Sequence, residues 1–138
     1  MASIEDYLKY HIEYTKLYGD KTIILYEHES FFQIYRSVCD LGVLDKICKI
    51  LNIKQGFIIY NSDVYDYIDL LTIAIENNIN KLVNNDYIVV LIKIVERNIQ
   101  YNILKREVTN IYFPSSYIIP SSIENNINKD TNYDTIYI

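Results

Sequence analysis

The run from Tyr87 to Val95 constrains the fold more than any other stretch. It reads Tyr-Ile-Val-Val-Leu-Ile-Lys-Ile-Val, rich in β-branched residues, and follows the turn cluster Asn84-Asn85-Asp86. That pattern predicts a strand. Thr22-Ile23-Ile24-Leu25-Tyr26 is a second nearly continuous apolar run, as expected of a buried strand. Phe31 to Tyr35 lies just beyond the polar break Glu27-His28-Glu29-Ser30 and can close a hairpin on it. Gly56–Tyr60 is a further short strand, and Arg106–Tyr112 another, ended by Pro114.

Helical spacing appears between these runs. Ile4, Tyr7, Leu8, Ile12, Tyr14, Leu17 and Tyr18 form a broad apolar stripe from Ser3 to Tyr18. Ser3 with Asp6 resembles a capping box, and Gly19 suits the position after the helix. Leu44, Ile47, Cys48 and Leu51 define a second helix. The stretch from Asp63 to Val83 also reads as helical, with a break near Glu76-Asn77-Asn78. Asp63, Asp66 and Asp69 then read as acids favoured by a helix N-terminus. Arg97–Leu104 reads as a polar connection.

The expected fold class is α/β (α+β): a mixed β-sheet flanked by helices. The chain has 138 residues, which fits one domain. We expect that domain over residues 1–114, followed over 115–138 by a polar linker and a strand-like end, Thr135-Ile136-Tyr137-Ile138.

Charge narrows the function. The formal net charge is −5. Duplex DNA is bound largely through Lys and Arg on phosphates, so an acidic chain must cluster its 13 basic residues to hold DNA. Cys39 and Cys48 lack a CxxC spacing and read as two buried, reduced thiols of an intracellular protein. The acidic N-terminus does not resemble a signal peptide. The longest aliphatic run, Ile88–Ile92, is far below the roughly 18 residues that span a bilayer. We expect a soluble intracellular protein with no membrane partner. The fifteen tyrosines accompany many Ile, Asn and Lys residues. All four types have AT-rich codons, so aromatic enrichment alone carries no functional argument.

Four ordered blocks carry a family resemblance across most of the chain. The first is Tyr7-Leu8 through Lys21-Thr22-Ile23-Ile24-Leu25-Tyr26. The second is Ser30-Phe31-Phe32-Gln33-Ile34-Tyr35. The third is Leu82-Val83-Asn84-Asn85-Asp86-Tyr87-Ile88-Val89-Val90-Leu91-Ile92. The fourth is Lys105-Arg106-Glu107-Val108-Thr109-Asn110-Ile111-Tyr112 with Pro114. In this order they resemble the N-terminal, mismatch-recognition domain of the MutS family of DNA mismatch-repair proteins. The flavour is closest to the homologues of large DNA viruses, which would place the protein in host cytoplasm or a viral factory.

The resemblance implies a module for DNA repair that binds mismatched double-stranded DNA. In the family, a phenylalanine wedges into the base stack from the minor groove, where a mispaired step kinks easily. Phe31 occupies that position. A family glutamate hydrogen-bonds the displaced base, and Gln33 stands in its place. Glu29 replaces the family glycine before the motif and brings a negative charge toward phosphate. Leu71–Ile75 replaces a glycine-proline loop, and Lys93-Ile94 replaces a Glu-Gln pair. No phosphate-binding loop of the GxxxxGK[ST] type exists. We therefore expect no ATPase, no enzyme activity and no cofactor. His28, between Glu27 and Glu29, has no supporting His or Cys cluster, so no metal is expected.

The alternative is a diverged remnant acting as a protein-interaction or regulatory module without mismatch binding. The acidic charge favours it. So does the strand-like end, which would be left orphaned and open to a protein partner or to self-association.

Overall fold

The computed structural model describes residues 2–40, 42–117 and 134–138. It is an α/β fold, with three helices and one seven-stranded mixed sheet among the described residues. Helix α1 spans Ala2–Tyr18 and leads into β1, Thr22–Glu27. β2, Phe31–Ser37, returns antiparallel to β1. Helix α2, Val43–Leu51, and β3, Gly56–Tyr60, follow. β4 covers Asp63–Leu71, and a 3-10 turn at Thr72–Ala74 opens α3, Ile75–Asn84. β5, Ile88–Asn98, and β6, Ile103–Phe113, form a long hairpin, and β7 is Asp134–Tyr137. The strand order is β3-β4-β2-β1-β5-β6-β7.

β1 and β5 sit near the centre, paired in parallel from Thr22↔Ile88 to Tyr26↔Ile92. Ile23, Ile24 and Leu25 are all buried, as are Ile88 to Ile92. Successive strand side chains point to opposite faces, so both faces of these strands are covered. α1 lies on one face, where Tyr7 packs edge-on against Tyr26 and Tyr35. α2 and α3 pack against each other and on the rest of the sheet; Leu44, Ile47, Ile79 and Leu82 are buried there. Gly19 has φ +99°, and its N–H closes α1 on the Thr15 carbonyl at 2.8 Å. A left-handed conformation there is easy only for glycine.

Several expectations change. Helix α1 runs from Ala2, ahead of the expected start at Ser3, and the Ser3 side chain of the expected capping box lies outside what the structure describes. The Asp6 carboxylate accepts a hydrogen bond from the Tyr26 hydroxyl at 2.7 Å. Asp63–Leu71 is a strand, not the first half of a helix. Asn61 and Ser62 both have positive φ, 49° and 65°, the two-residue turn that matches strand twist. The turn folds β4 back on β3, and β2 pairs along its other side. Two ladders outweigh the helical spacing of the acids. Arg97–Leu104 is the tip of the β5–β6 hairpin, with Arg97↔Leu104 and Asn98↔Ile103 paired.

The C-terminal strand is not orphaned. β7 pairs in parallel with β6 from Asn110↔Asp134 to Phe113↔Tyr137, and Tyr137 stacks on Phe113. The linker expected before it lies mostly outside the described residues. Cys39 is exposed and Cys48 half-buried, both free, so neither is the buried thiol expected. Among the described residues, no helix is long and apolar enough to cross a membrane.

Candidate nucleic-acid interface

β2 begins at Phe31, directly after a tight turn. The His28 N–H donates to the Phe31 carbonyl at 2.8 Å. Glu27 fixes this turn to the neighbouring hairpin: its Oε1 accepts the Ile94 N–H at 2.7 Å. Ile94 lies just beyond the last β1–β5 pair, Tyr26↔Ile92, where the β1 backbone turns away into β2. The carboxylate satisfies that amide and ties the two tips together.

Phe31 and Gln33 lie two apart on one strand and so share a face, as do Tyr35 and, across the ladder, Asp69 and Leu71. Phe31 is half-buried, and its ring stacks on His28 with centroids 5.3 Å apart. Together with Ile4, Gln33, Tyr35 and Tyr60 these rings line a cleft of about 340 Å³. The size is at the lower end for small-ligand sites. The motif residues are thus brought together at the rim of the sheet, beside an open cleft.

Gln33 is not solvent-facing. It is 9% exposed, and both ends of its amide are engaged. Nε2 donates to Asp69 Oδ1 at 2.7 Å, and Oε1 accepts from the Tyr35 hydroxyl. Burial, then the Asp69 charge, pushes the Tyr35 hydroxyl up to about 12, so it is a firm donor. This arrangement calls for an amide at position 33. An amide can donate to one neighbour while accepting from another. A carboxylate at position 33 would face the Asp69 carboxylate at hydrogen-bond distance.

Electrostatics around Phe31 are nearly balanced. Glu29 is paired with Arg97 of the hairpin tip at 2.8 Å. The pair is exposed and contributes little stability, but it offsets the negative charge of Glu29 beside Phe31. Arg106 stacks its guanidinium 4.5 Å over the Tyr26 ring and donates from Nε to the Glu27 carbonyl at 2.8 Å. Burial, then the Arg106 charge, lowers the His28 pKa below the usual histidine value, against Asp69, Gln33 and Glu29. The ring stacked on Phe31 is therefore neutral at pH 7. Among the described residues, buried His28 Nε2 has no hydrogen-bond partner. No group of three or more His, Cys, Asp or Glu side chains among the described residues is arranged to hold a metal.

The fold sets beside Phe31 and Gln33 three residues that the sequence does not bring to them: His28 reads as a candidate metal ligand, Asp69 falls in a helical pattern and Arg97 in a polar connection. The period-two spacing Asp-Tyr-Ile-Asp-Leu-Leu beside an Asn-Ser turn was the available signal for β4 and hence for Asp69.

No protein-family model matches the chain, and no curated protein matches it either.

Proposed function

We propose that this chain is a DNA-binding module of the mismatch-reading type found at the N-terminus of MutS proteins, acting in DNA repair without catalysis. Phe31 is the wedge and Gln33 the base-edge contact. The observation that carries this reading is their placement. A half-buried aromatic ring stands at the first residue of β2, with a polar side chain on the same face and an open cleft beside it. The ring must leave its His28 stack to enter DNA. A neutral imidazole makes that departure easier than a charged one, which would hold the aromatic face by cation–π attraction. Gln33 must exchange Asp69 or Tyr35 for a base edge, so discrimination is modest. An intracellular site of action accords with a DNA substrate.

Fluorescence anisotropy with G·T-mismatched and perfect duplexes at low salt tests the proposal. The wild type is expected to prefer the mismatch. Phe31→Ala should abolish that preference while leaving weak, salt-sensitive binding to either duplex. Equal binding of both duplexes by the wild type, or an unchanged preference in Phe31→Ala, rejects the wedge.

The second reading, a protein-interaction remnant, rests on charge. Arg97 and Arg106, which both contact residues next to the Phe31 turn, are engaged by Glu29 and by Tyr26 with the Glu27 carbonyl. A protein surface would accept such a balanced face more readily than a phosphate backbone.

A further inference from the structure

The sheet has two outer strands, β3 and β7. β7 starts on an acid, Asp134. β3 reads Gly-Phe-Ile-Ile-Tyr and contains no charge and no proline, and its pairing with β4 is unbroken from Gly56↔Tyr67 to Tyr60↔Asp63. Edge strands in soluble proteins are normally blunted by lysine, proline or a bulge. Phe57 and Ile59 on this strand are 69% and 68% exposed.

The hairpin geometry fixes which backbone groups are open. A two-residue turn closes on a hydrogen-bonded pair, here Tyr60 and Asp63, and hydrogen-bonded and non-bonded pairs then alternate. Ile58 and Gly56 therefore also point their amides and carbonyls toward β4. Phe57 and Ile59 point theirs outward, where no described residue pairs with them.

We propose that the β3 edge joins a second copy of this chain about a two-fold axis at Ile58, making one continuous sheet. Antiparallel pairing about that axis sets Phe57 of each copy against Ile59 of the other. All four outward N–H and C=O groups of each copy then find partners. The two most exposed apolar side chains of the strand cover one another at the same step. On the opposite face, Gly56 of one copy meets Tyr60 of the other, beside the Tyr67 ring that already covers the glycine. A one-residue slip from this register turns every outward group away. One strand pair buries less than a standard interface, so the dimer forms at concentrations of roughly 10–100 µM.

Sedimentation velocity across a concentration series of the full chain tests this. The wild type is expected to pass from monomer to dimer. Phe57→Lys should raise the dissociation constant at least about tenfold. Ile73→Lys, at a residue 94% exposed but off this edge, should leave it unchanged. Circular dichroism verifies that both variants fold. Ile58→Cys, in a chain with Cys39→Ser and Cys48→Ser, should give a covalent dimer on oxidation. Facing Cα atoms of a non-bonded pair lie about 4.5 Å apart, within disulfide reach. A wild type still monomeric at about 1 mM, a dimer indifferent to Phe57→Lys, equal loss in Ile73→Lys, or no Ile58→Cys crosslink would each overturn the proposal.

Discussion

The two sides of β1 are built differently. Toward β5 the strand pairs through five consecutive residues, Thr22 to Tyr26, each against an aliphatic partner. Toward β2 the pairing covers Tyr26↔Gln33 and Glu27↔Phe32, next to the candidate site. Farther along, side chains take over the seam. The Tyr7 hydroxyl donates to the Ile24 carbonyl at 3.0 Å. Arg36 donates from Nη2 to the Thr22 carbonyl and from Nη1 to the Tyr35 carbonyl, both at 3.1 Å. Arg36 is only 4% exposed. A buried backbone carbonyl without a partner is costly, and here a guanidinium and a phenol supply what a regular ladder would. The wing β2-β4-β3 is therefore held by continuous backbone bonding at the Phe31 rim and by two polar side chains at the far end.

Removing Arg36 breaks this comparison most severely. Arg36→Ala leaves two buried carbonyls unsatisfied, and we expect a loss of about 3 kcal/mol, read by urea denaturation. Tyr7→Phe removes one bond from the same seam and keeps the ring packing. A loss of about 1.5 kcal/mol is expected by the same measurement. Equal stability of Tyr7→Phe and wild type would show that the seam does not depend on the phenol.

Gln33→Glu probes the closed end. It sets a carboxylate against Asp69, and about 1 kcal/mol should be lost at pH 7. Protonation of one acid relieves the repulsion, so the deficit should shrink towards pH 4.

The smallest effect concerns His11 on α1. Burial, then the nearby Arg36 charge, lowers its pKa from 6.5 to about 4, against Asp40. A histidine with a folded pKa below its unfolded value favours folding while neutral. Its contribution is full above pH 6.5 and is lost as pH falls towards 4. The ring is half-exposed, so screening limits the loss to about 0.5 kcal/mol. Stability of His11→Gln relative to wild type, followed from pH 7 to pH 4, isolates it. In an Arg36→Ala background the histidine pKa, read by NMR titration, should rise.

The central strands were legible because their apolar runs are continuous. Neither Thr22–Tyr26 nor Ile88–Ile92 suits a half-exposed element. β4 was not, because Asp63, Asp66 and Asp69 repeat at three-residue spacing and imitate a helix face. Partner strands on both sides decide its conformation, and they lie far away in sequence. Phe31 and Gln33 were legible as a pair, since strand spacing sets residues two apart on one face. The engagement of Gln33 was not, because its partner Asp69 sits on the misread strand. Nor was the burial of Arg36: an arginine on a strand ordinarily faces water.

The parallel pairing of β1 with β5 has a further consequence, for the order of assembly. Thr22 meets Ile88 only after β2, α2, β3, β4 and α3 have been traversed. Closing so long a loop carries its entropic cost before any contact offsets it. The β1–β2, β3–β4 and β5–β6 hairpins are local and form on much shorter timescales. The chain should therefore fold slowly, over milliseconds to seconds. Its most thoroughly buried ladder is the last to be joined, and until then two of its stickiest strands stay available to other chains.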